Sequence, residues 1–181
     1  MTAHATCVVL GEAGVLIRGE SGAGKSSLAL ALLDRSQRVG NFAAFVADDR
    51  VRLERHHDRL VARPHPRLSG LIEVRSVGIR AVADLGHAVL PACVTRLAVD
   101  LVASSPRLPE PEAGQARILG LDLPRLVVDR RLRDSGLVPA LVFAALFADA
   151  VGRPGVASQP HSTTAGSAHE RGRSAHRGGV A

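Results

Sequence analysis

Tryptophan and tyrosine are absent from this chain, and aromatic residues make up 2% of its 181 positions. That shortage excludes a surface that grips single-stranded nucleic acid by stacking bases on rings. It also obliges the core to be built from Leu, Val, Ala and Ile. Hydrophobic residues still amount to 46%, enough for one domain with a real core. The cysteines are only Cys7 and Cys93, with no CxxC spacing, which leaves neither a disulfide framework nor a metal motif. Long apolar runs are scarce. The strongest, "GLVPALVFAALFADAV" from Gly136 to Val151, contains Asp149 and is too short to span a bilayer, so a buried or docking helix is predicted. "MTAHATCVVL" lacks a charged segment followed by a long apolar one, so no signal peptide is expected and the expected location is cytoplasmic.

Lysine is the scarcest charged residue. Lys25 is the only one, and the remainder of the 23 basic residues are arginine. The net charge of +6 is unevenly spread, because Arg153, Arg171, Arg173 and Arg177 face Glu170 alone in the last thirty positions. A mild charge on the rest argues against nucleic acid as a partner. The tail, 152–181, is rich in Gly, Ser, Ala and His and is expected to be disordered, which leaves 1–151 as the folded domain.

Along that domain, "TCVVL" and "VLIR" read as strands around the turn "GEAG". A glycine-rich loop follows, and Ser26 opens a helical pattern with Leu28, Leu32 and Leu33. "FAAFVADD" is an apolar run ending in two acids. "VRLE" and "RLVAR" flank a hairpin tip at His56, His57 and Asp58. "TRLAVDLVA" alternates as a strand should, and "RILGLDLPRLVVD" suggests two short strands around Leu121 to Pro124. Strands outnumber helices. The expected fold is α/β, with a β-rich core sheet, few helices and the glycine-rich loop near its start.

The loop "GESGAGKS" fits G-x-x-x-x-G-K-[ST] through Gly19, Gly24, Lys25 and Ser26. Its intervening residues, Glu20, Ser21, Gly22 and Ala23, would present backbone N–H groups to phosphate oxygens, with the helix N-terminus aimed at the same anion. Lys25 would reach the β- and γ-phosphates as a compact ammonium, where a guanidinium is larger and shaped for forked contacts. Ser26 would offer a hydroxyl to Mg²⁺. These features point to a nucleoside triphosphate and Mg²⁺. A partner acid is needed near a strand end, and "FVADDR" supplies Asp48 and Asp49, one suited to the metal and one to a proton. Glu73 in "GLIEV" sits among apolar residues and needs either a metal or an arginine, with Arg75 and Arg80 the nearest in sequence.

"GVLIRGESGAGKSSLAL", "VADDRV" and "LIEVRSVGI", in that order, resemble the catalytic domain of HPr kinase/phosphorylase over roughly residues 4 to 127. The chain is similar to the short, catalytic-domain-only form seen in alphaproteobacteria. The resemblance implies phosphorylation of a serine of HPr, a phosphocarrier protein of the sugar phosphotransferase system, with reversal by inorganic phosphate. It implies that Asp49 is the proton acceptor and that Lys25 and Ser26 serve phosphate and magnesium. It makes Glu73 a second magnesium-linked acid, and His4, ahead of the first strand, an assistant to Asp49. Arg107 in "PRLPEPE" matches an arginine linked to dephosphorylation. The family is typically hexameric, which implies a homo-oligomer. Ser76 stands where the family signature has glycine, the link "RSQRVGNFAAFVADD" is long for the family, and "DRRLRDSGLVPALVF" does not match its C-terminal segment. Two other readings stay open. One is a P-loop kinase of a small molecule with an arginine lid drawn from "DRRLR". The other is a nucleotide-sensing module without turnover.

Overall fold

The computed structural model describes residues 1–107 and 114–152. Of the tail 152–181, expected to be disordered, Gly152 ends a helix and the remainder lies outside the described residues. The chain runs β1 (Thr2–Leu10), β2 (Ala13–Gly19), α1 (Lys25–Arg38), β3 (Ala43–Ala47), β4 (Arg50–His56) and β5 (Arg59–Pro64). It continues through β6 (Leu71–Val74), β7 (Gly78–Ala81), β8 (Ala88–Val89), β9 (Cys93–Leu101), β10 (Gln115–Ile118) and β11 (Leu121–Val128). Two helices close it, α2 (Arg130–Asp134) and α3 (Val138–Gly152). The fold is α/β with a sheet-rich core, as expected.

Two nine-residue strands, β1 and β9, organise the sheet because each divides one edge between two partners. β1 pairs with β4 through Thr2–His4 and with β3 through Cys7–Leu10, while β2 lies along its other edge. β9 pairs with β5 at its start and β11 at its end, with β2 opposite. Since β4 also pairs with β5, the strands β1, β2, β9, β5 and β4 close into a ring. Side-chain alternation then makes two cores. Val8, Leu10, Val15, Ile17, Phe45, Leu97 and Val99 face α1 and α3. Ala5, Cys7, Val9, Leu16, Leu53, Leu60 and Ala98 fill the ring interior. With so few aromatics, Phe45 is the bulkiest fully buried side chain.

The first strand starts at Thr2, not at Thr6, so His4 is inside β1 and not ahead of it. The reason is tertiary: Thr2, Ala3 and His4 find their ladder on Arg52, Val51 and Arg50, far along the chain. The turn between β10 and β11 falls at Leu119 and Gly120, both with positive φ, earlier than the sequence suggests. Pro124 is tolerated in β11 opposite Gln115 of the short edge strand β10. The long link after α1 is absorbed by the helix end. Ser36 is buried and its hydroxyl donates to the carbonyl of Phe42 at 3.2 Å.

Beneath the loop end of β2, Asp100 accepts from Arg18 at 2.6 and 2.7 Å and from Arg125 at 2.6 Å, tying β2, β9 and β11 together. Burial pushes the Asp100 carboxyl up, but the two arginines outweigh it and hold it below the ordinary aspartate value. A carboxyl with a lower folded than unfolded pKa stabilises the fold above the unfolded value. It loses that contribution as pH falls through the folded value. Asp100→Asn is therefore expected to be less stable than the parent near neutrality. The gap should shrink below about pH 4, as urea midpoints at the two pH values will show.

Candidate active site

The loop between β2 and α1 enters with Gly19 at φ 152° and Gly24 at φ 92°, the latter capping α1 in a left-handed conformation. At Gly19 space is also decisive, because an added Cβ would lie 2.8 Å from the carbonyl oxygen of Leu101. Lys25 is the first residue of α1 and is 6% exposed. All three of its N–H donors are directed: at Gly19 O (3.0 Å), Glu20 O (2.9 Å) and His4 Nε2 (2.9 Å). Burial pushes the Lys25 ammonium down from its ordinary value, while Asp48 and then Asp49 push back.

Asp48 and Asp49 sit where β3 passes into β4 alongside β1. In an unbroken strand two successive side chains point to opposite faces. Here the Arg50 N–H donates to Asp48 O at 2.7 Å around Asp49, whose φ is 64°. That tight kink, an uncommon conformation for a non-glycine residue, lets both carboxylates line one cavity of about 360 Å³. The cavity also holds His4, Lys25, Ser26, Glu73, Arg75 and Ser76.

Asp49 Oδ1 lies 2.8 Å from His4 Nδ1. Lys25 can only donate, so His4 Nε2 accepts and the ring proton resides on Nδ1, directed at Asp49. A continuous chain therefore runs from Lys25 through the imidazole to Asp49. Asp48 is buried and accepts from Thr6 Oγ1 (2.5 Å), Ser26 Oγ (2.9 Å) and the Glu73 N–H (3.2 Å). Asp48→Ala would strand these three donors, and a loss of about 3 kcal/mol in unfolding free energy is expected. A urea midpoint within error of the parent would contradict that assignment.

Glu73 has neither sequence neighbour as a partner. Arg80 donates to Ile79 O at 2.9 Å, and the Arg75 guanidinium reaches over the loop, 3.0 Å from where a Gly22 Cβ would be. β6 and β7 form a separate two-stranded sheet joined through Arg75, Ser76 and Val77. Ser76, in the place of a signature glycine, itself takes the left-handed conformation, φ 65°. Arg107 is exposed, lines neither cavity beside the loop, and is not brought to Asp49.

Three residues were not evident from sequence. Thr6 lies two positions after His4 on one strand and so faces the same side, a period-two signal that could have found it. Arg75 was visible only as a partner for Glu73. Arg133 of α2 donates to the Ala23 carbonyl, and to Val102 O at 3.5 Å, pinning the C-terminal segment to the loop. Nothing local in "DRRLR" predicts that contact. On this side of the loop lies a second cavity of about 1210 Å³ with apolar walls that include Leu28, Ala31, Leu101, Val102, Val138 and Pro139.

The family model described as HPr Serine kinase C-terminal domain matches residues 1–131, and the chain belongs to that family. Among curated relatives, the HPr kinase/phosphorylase of Halalkalibacterium halodurans is 36% identical over 135 residues, 71% of this chain and 42% of the relative. That of Geobacillus thermodenitrificans is 34% identical over the same shares. The chain thus spans about two fifths of the length of these relatives. Among solved structures, the Hpr(Ser) kinase/phosphatase from Coxiella burnetii superposes with a TM-score of 0.66 at 27% identity, covering 84% of this chain and 97% of that one. No helix among the described residues is long and apolar enough to cross a membrane.

Proposed function

We propose that this chain transfers the γ-phosphoryl group of Mg-ATP to a serine hydroxyl of the phosphocarrier protein HPr. The observation that carries this reading is the hydrogen-bonded chain from Lys25 through His4 to Asp49. It links the residue that would hold the phosphates to the residue that would take the serine proton.

The loop amides and Lys25 hold the phosphates, with Lys25 exchanging a carbonyl partner for a phosphate oxygen. The apolar cavity across the loop suits the nucleoside. Ser26, Asp48 and Glu73 offer one hydroxyl and two carboxylates around one cavity, a hard-oxygen set that fits magnesium. Among the described residues no three His, Cys, Asp or Glu groups are placed to hold a metal ion by themselves. Phosphate oxygens and water would therefore complete the ion's shell, as is usual for magnesium. Bound there, the ion would neutralise charge on the phosphoryl oxygens. His4 Nδ1–H engages Asp49 Oδ1 and leaves Oδ2 to accept the proton of the attacking serine. Positioning and fixed charge supply most of the rate in such a transfer.

Arg133, one of the three arginines of "DRRLR", is engaged with backbone carbonyls and so is not available as part of a lid for a small substrate. The deciding experiment is incubation of the full chain with purified HPr and Mg-ATP, followed by mapping of the phosphorylated residue. Phosphoserine in HPr is expected. Tight nucleotide binding with label appearing only in metabolites, or nowhere, would overturn the proposal.

A further inference from the structure

Cys7 and Cys93 take no part in this chemistry, yet they meet. They are 86 positions apart, and their sulfurs are 3.4 Å apart inside the ring. β1 and β9 do not pair with each other: β2 separates them on one side, β4 and β5 on the other. Gly14 makes the room, since a Cβ there would lie 2.7 Å from Cys93 Sγ. Cys7 is buried and Cys93 is partly open to solvent. The contact with Cys93, and then burial, push the Cys7 thiol up, and either sulfur can be the donor in their contact. Cys93 is the less buried residue of the two, and the Cys7 sulfur lies in contact with its sulfur, the arrangement of an oxidisable thiol beside a resolving one.

We propose that Cys7 and Cys93 form a redox-active dithiol, a modification site that hydrogen peroxide closes into an internal disulfide acting on the neighbouring carboxylate site. The Cys93 thiolate attacks one peroxide oxygen and the O–O bond breaks. Cys93 becomes a sulfenic acid, and the released hydroxide leaves as water after taking a proton. The Cys7 sulfur then attacks Cys93 Sγ, and the sulfenic hydroxyl departs as water with the Cys7 proton. Two electrons pass from the sulfur pair to peroxide, and a thiol reductant reverses the change.

Bonding requires the sulfurs to approach by about 1.3 Å. Cys7 follows Thr6, whose hydroxyl holds Asp48, and the β1–β3 register shifts between Cys7 and Val8. Alternate residues of β1 face opposite sides, so drawing Cys7 into the ring draws Thr6 away from Asp48. Asp48 in turn is bonded to Ser26.

The test uses the full chain, reduced, exposed to hydrogen peroxide, and then alkylated with maleimide in denaturant. Both free thiols should disappear, with a mass loss of two hydrogens and a digest fragment joining Cys7 to Cys93. Amide resonances of Thr6, Asp48 and Ser26 should shift in the oxidised protein and return with dithiothreitol. Cys93→Ser should abolish both responses, and Cys93→Ala provides the same arm should the serine variant fold poorly. Oxidation of Cys93 to a sulfinic acid with Cys7 still alkylatable would overturn the proposal. So would a disulfide between two chains, or an internal disulfide that leaves those three resonances unmoved. The thiol count needs no nucleotide or HPr, so it stands or falls apart from the kinase assignment.

Discussion

Asp49→Asn is expected to lower phosphoryl transfer to HPr by roughly 10³-fold while leaving nucleotide affinity within a few-fold of the parent. The amide keeps the volume of the carboxylate and can still accept from His4 Nδ1, so the kink and the imidazole orientation should survive. What disappears is an oxygen able to take the serine proton. Single-turnover kinetics with saturating Mg-ATP isolate that step from binding. A variant that transfers at the parental rate would remove Asp49 from the role of base. A variant that loses nucleotide as well would mean that the left-handed turn, not the carboxylate, had been lost.

Lys25→Arg should also fail, by roughly 10³-fold in transfer, despite conserving charge. The Lys25 ammonium is buried and sends one proton to each of three acceptors around it, two carbonyls and a ring nitrogen. A planar guanidinium cannot point three ways from one atom. Nucleotide binding should weaken together with transfer. The same measurement on His4→Ala gives a useful contrast, since Lys25 then keeps both carbonyls and loses only the link to Asp49. A fully active Lys25→Arg protein would show that this position needs charge but not a point donor.

The glycine loop, the strand before it and the helix after it were legible because each has a local signature of spacing and residue type. So were the paired acids at the end of "FVADD". The rest of the site came from pairings that no local window contains. His4 is ordered by Arg50 through a strand ladder, and Glu73 is brought to Asp48 by its own backbone N–H. The kink at Asp49 needs a positive φ that nothing in "VADDR" announces, since glycine would have been the obvious marker. The closure of the ring is a property of which edge each half of β1 and β9 uses. Patterning shows an apolar run in β1 and an alternating strand in β9, and neither says which neighbours each edge takes. The segment "DRRLR" read as a spare lid because its one decisive contact, Arg133 to the Ala23 carbonyl, joins positions 110 apart.

The detached pair β6–β7 gives the site two halves of unequal stiffness. His4, Asp48 and Asp49 belong to, or adjoin, strands held on both edges, which open only when much of the domain opens with them. Glu73, Arg75 and Ser76 ride on a hairpin whose only ladder is its own, a unit of marginal stability by itself, anchored by Ile72 in the core and by the Glu73 N–H on Asp48. On the mechanism proposed above, a motion of that hairpin would admit the acceptor or release nucleotide and leave His4 and Asp49 in place. Exchange of reactants and precision of chemistry are thus assigned to different parts of the chain, and neither has to be compromised for the other.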